Sequence, residues 1–250
     1  MAPAPPPVPL HDWTRVSAGK WHDMHLAWTG ALRNELNAGV LPDPFFALAE
    51  PVTGRRARPP DVAVHASDVE IPAGCVPASE APVRFALFEM AGGPRVRRRV
   101  TVRHPDGDRV VAVVEFASPG NRDAGPKVTH YARTVADALL AGVHAVLIDP
   151  FPPTAAAPAG LHGAVMAELG GSPAPRDGKP LTFAGYCATG AGDEVAASVE
   201  PRAAGEPVPT VPLFLDSEWF LPLDLAPSYA TAFRGCPKPV REVLTRAPAA

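Results

Sequence analysis

The stretch Arg109-Val110-Val111-Ala112-Val113-Val114-Glu115-Phe116 is apolar on both faces of an extended chain until its penultimate residue. Consecutive β-branched residues favour a pleated strand, and apolarity on both faces places that strand inside a sheet covered on each side. Upstream, a run over 96–104 puts Val100 and Val102 on one face and Arg99, Thr101 and Arg103 on the other. Pro105-Asp106-Gly107-Asp108 joins the two runs, and Asp-Gly between such segments is hairpin chemistry. Downstream, Ser118-Pro119-Gly120-Asn121 breaks the strand. Lys127 to Gly142 then reads as a helix, with Val128, Tyr131, Val135, Ala138 and Leu139 along one side. Val143 to Asp149 is a second buried strand, so 109–149 forms a β-α-β unit, expected to be parallel and right-handed.

Outward from this unit, a helix begins at Ser17, repeats apolar residues at Trp21, Met24, Trp28, Ala31, Leu32 and Leu36, and stops at Gly39. Short strands are expected at 45–50, 61–65 and 85–90, with 66–82 as loop. Beyond Pro150 the pattern gives a helix at 161–169, strands near 181–188, 195–200 and 211–215, and a helix near 224–234. Asp149-Pro150 and Trp219-Phe220 read as structural. The expected architecture is an α/β fold: a mixed sheet flanked by helices. Residues 1–10 form a Pro-rich tail without fixed structure, 11–155 the core, and 156–250 a C-terminal strand/helix extension packed on the same domain.

Composition narrows the classes further. At 250 residues and 26.1 kDa the chain is long enough to bury its own core. With 46% hydrophobic and 20% charged residues it is not a disordered chain, and a net charge of −3 leaves no strong footprint for bulk nucleic acid or a membrane surface. Its 33 prolines exclude coiled coils and long bundles. Cys75, Cys187 and Cys236 are far apart and form no Cys-x-x-Cys pair, so neither a disulfide framework nor a structural zinc site can be read. The start, MAPAPPPVPL, lacks the basic and apolar regions of a signal peptide, and the most apolar stretch, 139–148, is about half a membrane span. A cytoplasmic protein with no membrane partner is expected.

Glu115 carries the chemical interest, because an uncompensated charge near the end of an apolar strand costs several kcal/mol. One resolution is a structural pair with an arginine such as Arg122. The other is a metal site completed by Asp61, which follows Pro59-Pro60 at the start of a short strand. Two carboxylates from strand ends with a lysine nearby suit Mg²⁺-assisted phosphodiester cleavage, since Mg²⁺ is held by one or two carboxylates with phosphate oxygens and water.

Pro60-Asp61, Val114-Glu115-Phe116-Ala117-Ser118-Pro119-Gly120-Asn121-Arg122-Asp123, Lys127-Val128-Thr129-His130-Tyr131, Ala141-Gly142-Val143-His144 and Ile148-Asp149 occur in that order. The series resembles the bacterial family known as domain of unknown function 4058 and, more distantly, the Uma-type endonuclease-like proteins. Both look like members of the PD-(D/E)xK restriction-endonuclease-like superfamily. His11-Asp12-Trp13, Trp21-His22-Asp23-Met24-His25, Leu48-Ala49-Glu50 and Val211-Pro212-Leu213-Phe214-Leu215 extend the resemblance over most of the chain.

The resemblance implies a restriction-endonuclease-like sheet, with Asp61 and Glu115 as metal-binding acids, Glu50 as an additional acid, and Mg²⁺ or Mn²⁺ as cofactor. Position 117 is Ala where the superfamily carries its lysine, and Lys127, four residues before Tyr131 and one of only four lysines, matches the displaced lysine of the Uma-type proteins. Arg122, Arg97 and Arg99 are the expected phosphate contacts, with DNA or RNA as partner. The implied function is a Mg²⁺-dependent nuclease. The alternatives are a catalytically inactive member of the same fold acting as a binding or scaffold module, and an enzyme on a small phosphorylated substrate. His22 and His25 read as packing residues rather than metal ligands. No Gly-x-Ser-x-Gly elbow or Gly-Lys-Ser/Thr loop is present.

Overall fold

The computed structural model describes residues 7–50, 73–80, 99–105, 109–188 and 195–247. Asp61 and Arg97, and the strands expected at 61–65 and 85–90, lie outside the described residues, as do the side chains of Glu50 and Arg99.

The apolar stretch of the opening is strand β4 (Arg109–Phe116). It lies within a six-stranded mixed sheet whose other strands are β1 (Phe46–Glu50), β3 (Arg99–His104), β5 (His144–Asp149), β6 (Leu181–Ala188) and β7 (Val195–Arg202), in the order β1-β3-β4-β5-β6-β7. β3 and β4 form the expected antiparallel hairpin, with a register shift between Val102 and Arg103. β4 and β5 pair in parallel, as the β-α-β reading requires. The helix between them, α2 (Gly125–Leu140), starts two residues before the expected Lys127 because Pro126 suits a first helical turn. It ends where Gly142 adopts φ +73, a conformation glycine takes at little cost.

Strand alternation sends β4 side chains into two separate cores. Val114 and Phe116 join Trp21, Met24, Trp28 and Leu32 of α1 (Ala18–Glu35), together with α4 (Ala226–Gly235), on one face. Val113 and Ala117 join α2 and α3 (Gly160–Glu168) on the other. Helices therefore cover both faces of the sheet.

A second sheet, in the order β2-β9-β8, is built from β2 (Val76–Pro77), β9 (Trp219–Asp224) and β8 (Thr210–Phe214). It packs on the large sheet where β6 is thinnest. A Cβ added at Gly185 would stand 2.1 Å from the carbonyl oxygen of Pro212, so only glycine admits β8 there. At the edge of the large sheet, the Asn37 side chain donates to the Ala47 carbonyl (2.9 Å) and accepts from its N–H (2.7 Å), satisfying β1 as another strand would.

Three expectations change. The Pro-rich tail is fixed at its end: Leu10 is buried and donates its backbone N–H to the Glu206 carbonyl, while Val208 donates to Val8. The residues between the prolines keep their N–H groups, which is enough for a bridge. Trp219–Asp224 is a strand, although Pro222 lies inside it, because Pro222 faces Pro212 across the β8–β9 pair. A helix not foreseen, α5 (Lys238–Thr245), closes the described chain and buries only Val240 and Leu244.

Candidate functional site

The parallel step of the sheet brings two acids to the same end and the same face. β4 runs alongside β5 with Glu115 opposite Leu147 and Phe116 opposite Ile148, and Ala117 continues the ladder by donating to the Ile148 carbonyl. Residues two apart share a face, so Glu115 and Asp149 both turn toward α2. Each is almost fully buried, at 2% and 1% exposure.

Asp149 is compensated directly. Arg122, 3% exposed, forms an ion pair with it through Nη2. Its Nη1 donates to the carbonyls of Pro152 (2.9 Å) and Phe151 (3.3 Å), and the guanidinium lies 5.3 Å from the Phe151 ring centre. The strand-end loops are locked around this pair. The backbone N–H and hydroxyl of Ser118 both donate to Asn121 Oδ1 at 2.7 Å, and the Thr154 hydroxyl donates to the Arg122 carbonyl at 2.8 Å. Burial raises the Asp149 carboxyl above its ordinary range, and Arg122 opposes that shift without cancelling it.

Tyr131 closes the cluster from α2. Burial pushes its phenol well above the usual value, the charges of Glu115 and Asp149 push it further, and Arg122 works the other way. Beside it on β6, the Tyr186 hydroxyl meets His162 Nδ1 at 2.7 Å. Burial lowers His162 to about 4, with Arg176 adding to the effect.

The structure separates several residues expected to act together. Lys127 is half exposed and its Nζ pairs with Asp123 Oδ2 at 2.7 Å, four residues back in the loop that precedes α2. It emerges at the helix start, whereas Tyr131, four residues on, is buried. Arg122, expected to contact phosphate or to neutralise Glu115, is sealed in the protein and committed to Asp149. This corrects the expectation: the guanidinium is spent inside the protein, on Asp149 and on the Phe151 and Pro152 carbonyls. Glu50 and Arg99 face each other in the β1–β3 register, one strand from β4. His25 rests against the Trp21 ring, as a packing residue does, whereas His22 is exposed.

Mg²⁺ needs oxygen ligands gathered around one point. Among the described residues no group of three His, Cys, Asp or Glu side chains is so placed, and Asp149 is engaged by a guanidinium. The described acids do not by themselves fit a metal centre.

Sequence reasoning missed Asp149, although its signal was the one that singled out Glu115: an acid ending a buried strand. It also missed a second polar centre, 218 residues apart in sequence. The Tyr229 hydroxyl accepts from the His11 N–H (3.1 Å) and Trp13 Nε1 (3.2 Å) and lies 2.7 Å from His11 Nδ1. With both lone pairs used, the hydroxyl donates to Nδ1, which fixes His11 as neutral with its proton on Nε2. Burial accordingly lowers His11 to about 4.

Compared with known proteins, the chain matches no family model, no curated protein and no solved structure at a significant level.

Proposed function

We propose that this chain is a catalytically silent module of restriction-endonuclease-like architecture, serving in binding or scaffolding. The observation that carries the reading is the separation of acid and amine. Glu115 is buried under α2, while the Lys127 ammonium stands in solvent with Asp123 as its partner. General acid–base and electrostatic catalysis require such groups within hydrogen-bond reach of one reacting atom. The helix-flanked mixed sheet supports the architectural half of the proposal.

A Mg²⁺-dependent nuclease is the second reading, with Asp61, Glu115 and Glu50 as its acids and Lys127 as its amine. One observation favours it: Glu115 ends a strand on the carboxyl side of a parallel pair, where α/β sheets place their ligands.

One experiment separates them. Single- and double-stranded DNA and RNA are incubated with the protein and Mg²⁺ or Mn²⁺, beside Glu115→Ala and Asp61→Ala. The silent module predicts no cleavage above that of either variant. Cleavage by the wild type that both substitutions abolish establishes the nuclease.

A further inference from the structure

The two helices that close the described chain gather positive charge. Between 226 and 247 the sequence holds four cations, Arg234, Lys238, Arg241 and Arg246, against one acid, Glu242, in a chain whose net charge is −3. On α5 the buried residues are Val240 and Leu244, so Lys238 and Arg241, three apart, turn away from them. Two hydrogen bonds fix the rest of the group to this helix. Arg241 Nη1 donates to the Arg234 carbonyl at 3.1 Å, holding the end of α4 against α5. Arg15, which ends the turn Trp13–Arg15, donates through Nη1 to the Arg246 carbonyl at 2.6 Å, at the far end of α5. Each of these contacts occupies one donor of a guanidinium that has five. Arg234, Lys238 and Arg246 are exposed. The acids nearby are few. Glu242 reaches Lys238 only at 3.7 Å, while burial and then Asp23 raise the Cys236 thiol at the α4–α5 turn, against Arg241.

We propose that this face of α4 and α5 binds the phosphate backbone of a nucleic-acid duplex without regard to sequence. The inference deepens the binding-module reading and rests on it. Shape and chemistry select the partner. From Lys238 to Arg246 the cations span about 12 Å along the helix, about three base-pair steps of a duplex at about 3.4 Å each. Four of the five are arginines, whose planar, weakly hydrated fork suits phosphate. A single strand would need exposed rings on which to stack, and Phe233 of α4 is already stacked on His11 at 3.8 Å. A membrane would need the apolar face of α5, which is buried. An acidic protein would need apolar anchors, and Val243 is the only large apolar residue that α5 exposes. Phosphate contacts alone are enough for sequence-independent binding to nucleic acid.

The test is fluorescence anisotropy of a labelled duplex of random sequence, once as DNA and once as RNA, with the full chain in EDTA. Binding of either duplex is expected at about 50 mM salt, weakening with a log–log salt slope of about −3 to −4, since each phosphate contact contributes about −0.9. Arg234→Gln/Lys238→Gln/Arg246→Gln, which keeps the two arginines that hold carbonyls, is expected to flatten that slope by about three with Tm unchanged. Arg133→Gln/Lys179→Gln/Arg202→Gln removes as much charge from ion pairs outside the patch and is expected to bind as the wild type does. No duplex binding at about 50 mM salt, equal losses in the two variants, or tighter binding of a single strand or of polyglutamate overturns the proposal. Such a failure leaves the absence of catalysis standing, whereas cleavage in Mg²⁺ overturns the silent module without altering a result obtained in EDTA.

Discussion

At the scale of single residues, the molecule treats its charges in two ways, and stability measurements distinguish them. Arg122 and Asp149 are desolvated together, so removing one strands the other in the interior. Asp149→Ala is expected to cost about 3–5 kcal/mol in urea unfolding. The double replacement Arg122→Met/Asp149→Leu, which leaves no unpaired charge, is expected to recover most of that. A loss under about 1 kcal/mol for Asp149→Ala would show that the pair is solvated in solution. Lys127 and Asp123 are the opposite case, a half-exposed pair at the start of α2. Lys127→Ala is expected to change stability by no more than about 0.5 kcal/mol, and a larger loss would mean that the lysine reaches a buried partner.

Among elements, what could be read from the sequence followed the strength of the local pattern. β4, α2 and β5 were legible because an unbroken apolar run, a 3.6-residue repeat and a second apolar run follow one another with clear breaks. β9 was not, since Pro222 within Trp219–Asp224 argues against a strand unless its neighbour's proline is known to lie opposite. α5 offers only two apolar residues at helical spacing, too few to rise above a loop. The candidate site divided in the same way. That Glu115 is buried followed from its strand, but that Arg122 serves Asp149 is a tertiary choice between two acids 34 residues apart, which no local pattern encodes. The packing of one sheet on the other makes its own prediction. Gly185→Ala forces a methyl group into the Pro212 backbone and is expected to destabilise by about 3 kcal/mol or more. Unfolding at unchanged denaturant midpoint would place β8 farther from β6 than the structure has it.

For the whole molecule, three buried neutral histidines set the response to acid. His11, His144 and His162 are each lowered by burial to about 4. Ring nitrogens are committed as well, with His144 Nδ1 accepting the Ala188 N–H at 3.1 Å. A histidine with a depressed folded pKa gives its full stabilisation above the unfolded value, near 6.5, and loses it as pH falls, because only the unfolded chain takes up the proton. Each contributes about 1.4 kcal/mol per pH unit in that window, roughly 4 kcal/mol per unit for the three. Glu35 and Asp149, whose carboxyls are raised, act in the other sense and oppose the loss. Since whole domains are stable by about 5–15 kcal/mol, denaturant unfolding at stepped pH is expected to show a steep loss between pH 6.5 and 5. A flat profile there would mean that these rings are hydrated in solution.

The question that governs the rest is whether a divalent ion has a seat on this chain. Calorimetric titration of Mn²⁺ into the intact protein answers it. Heats no larger than dilution agree with acids and amine that occupy separate surroundings. Saturable one-site uptake that vanishes in both Glu115→Ala and Asp61→Ala would contradict the silent module and restore the nuclease.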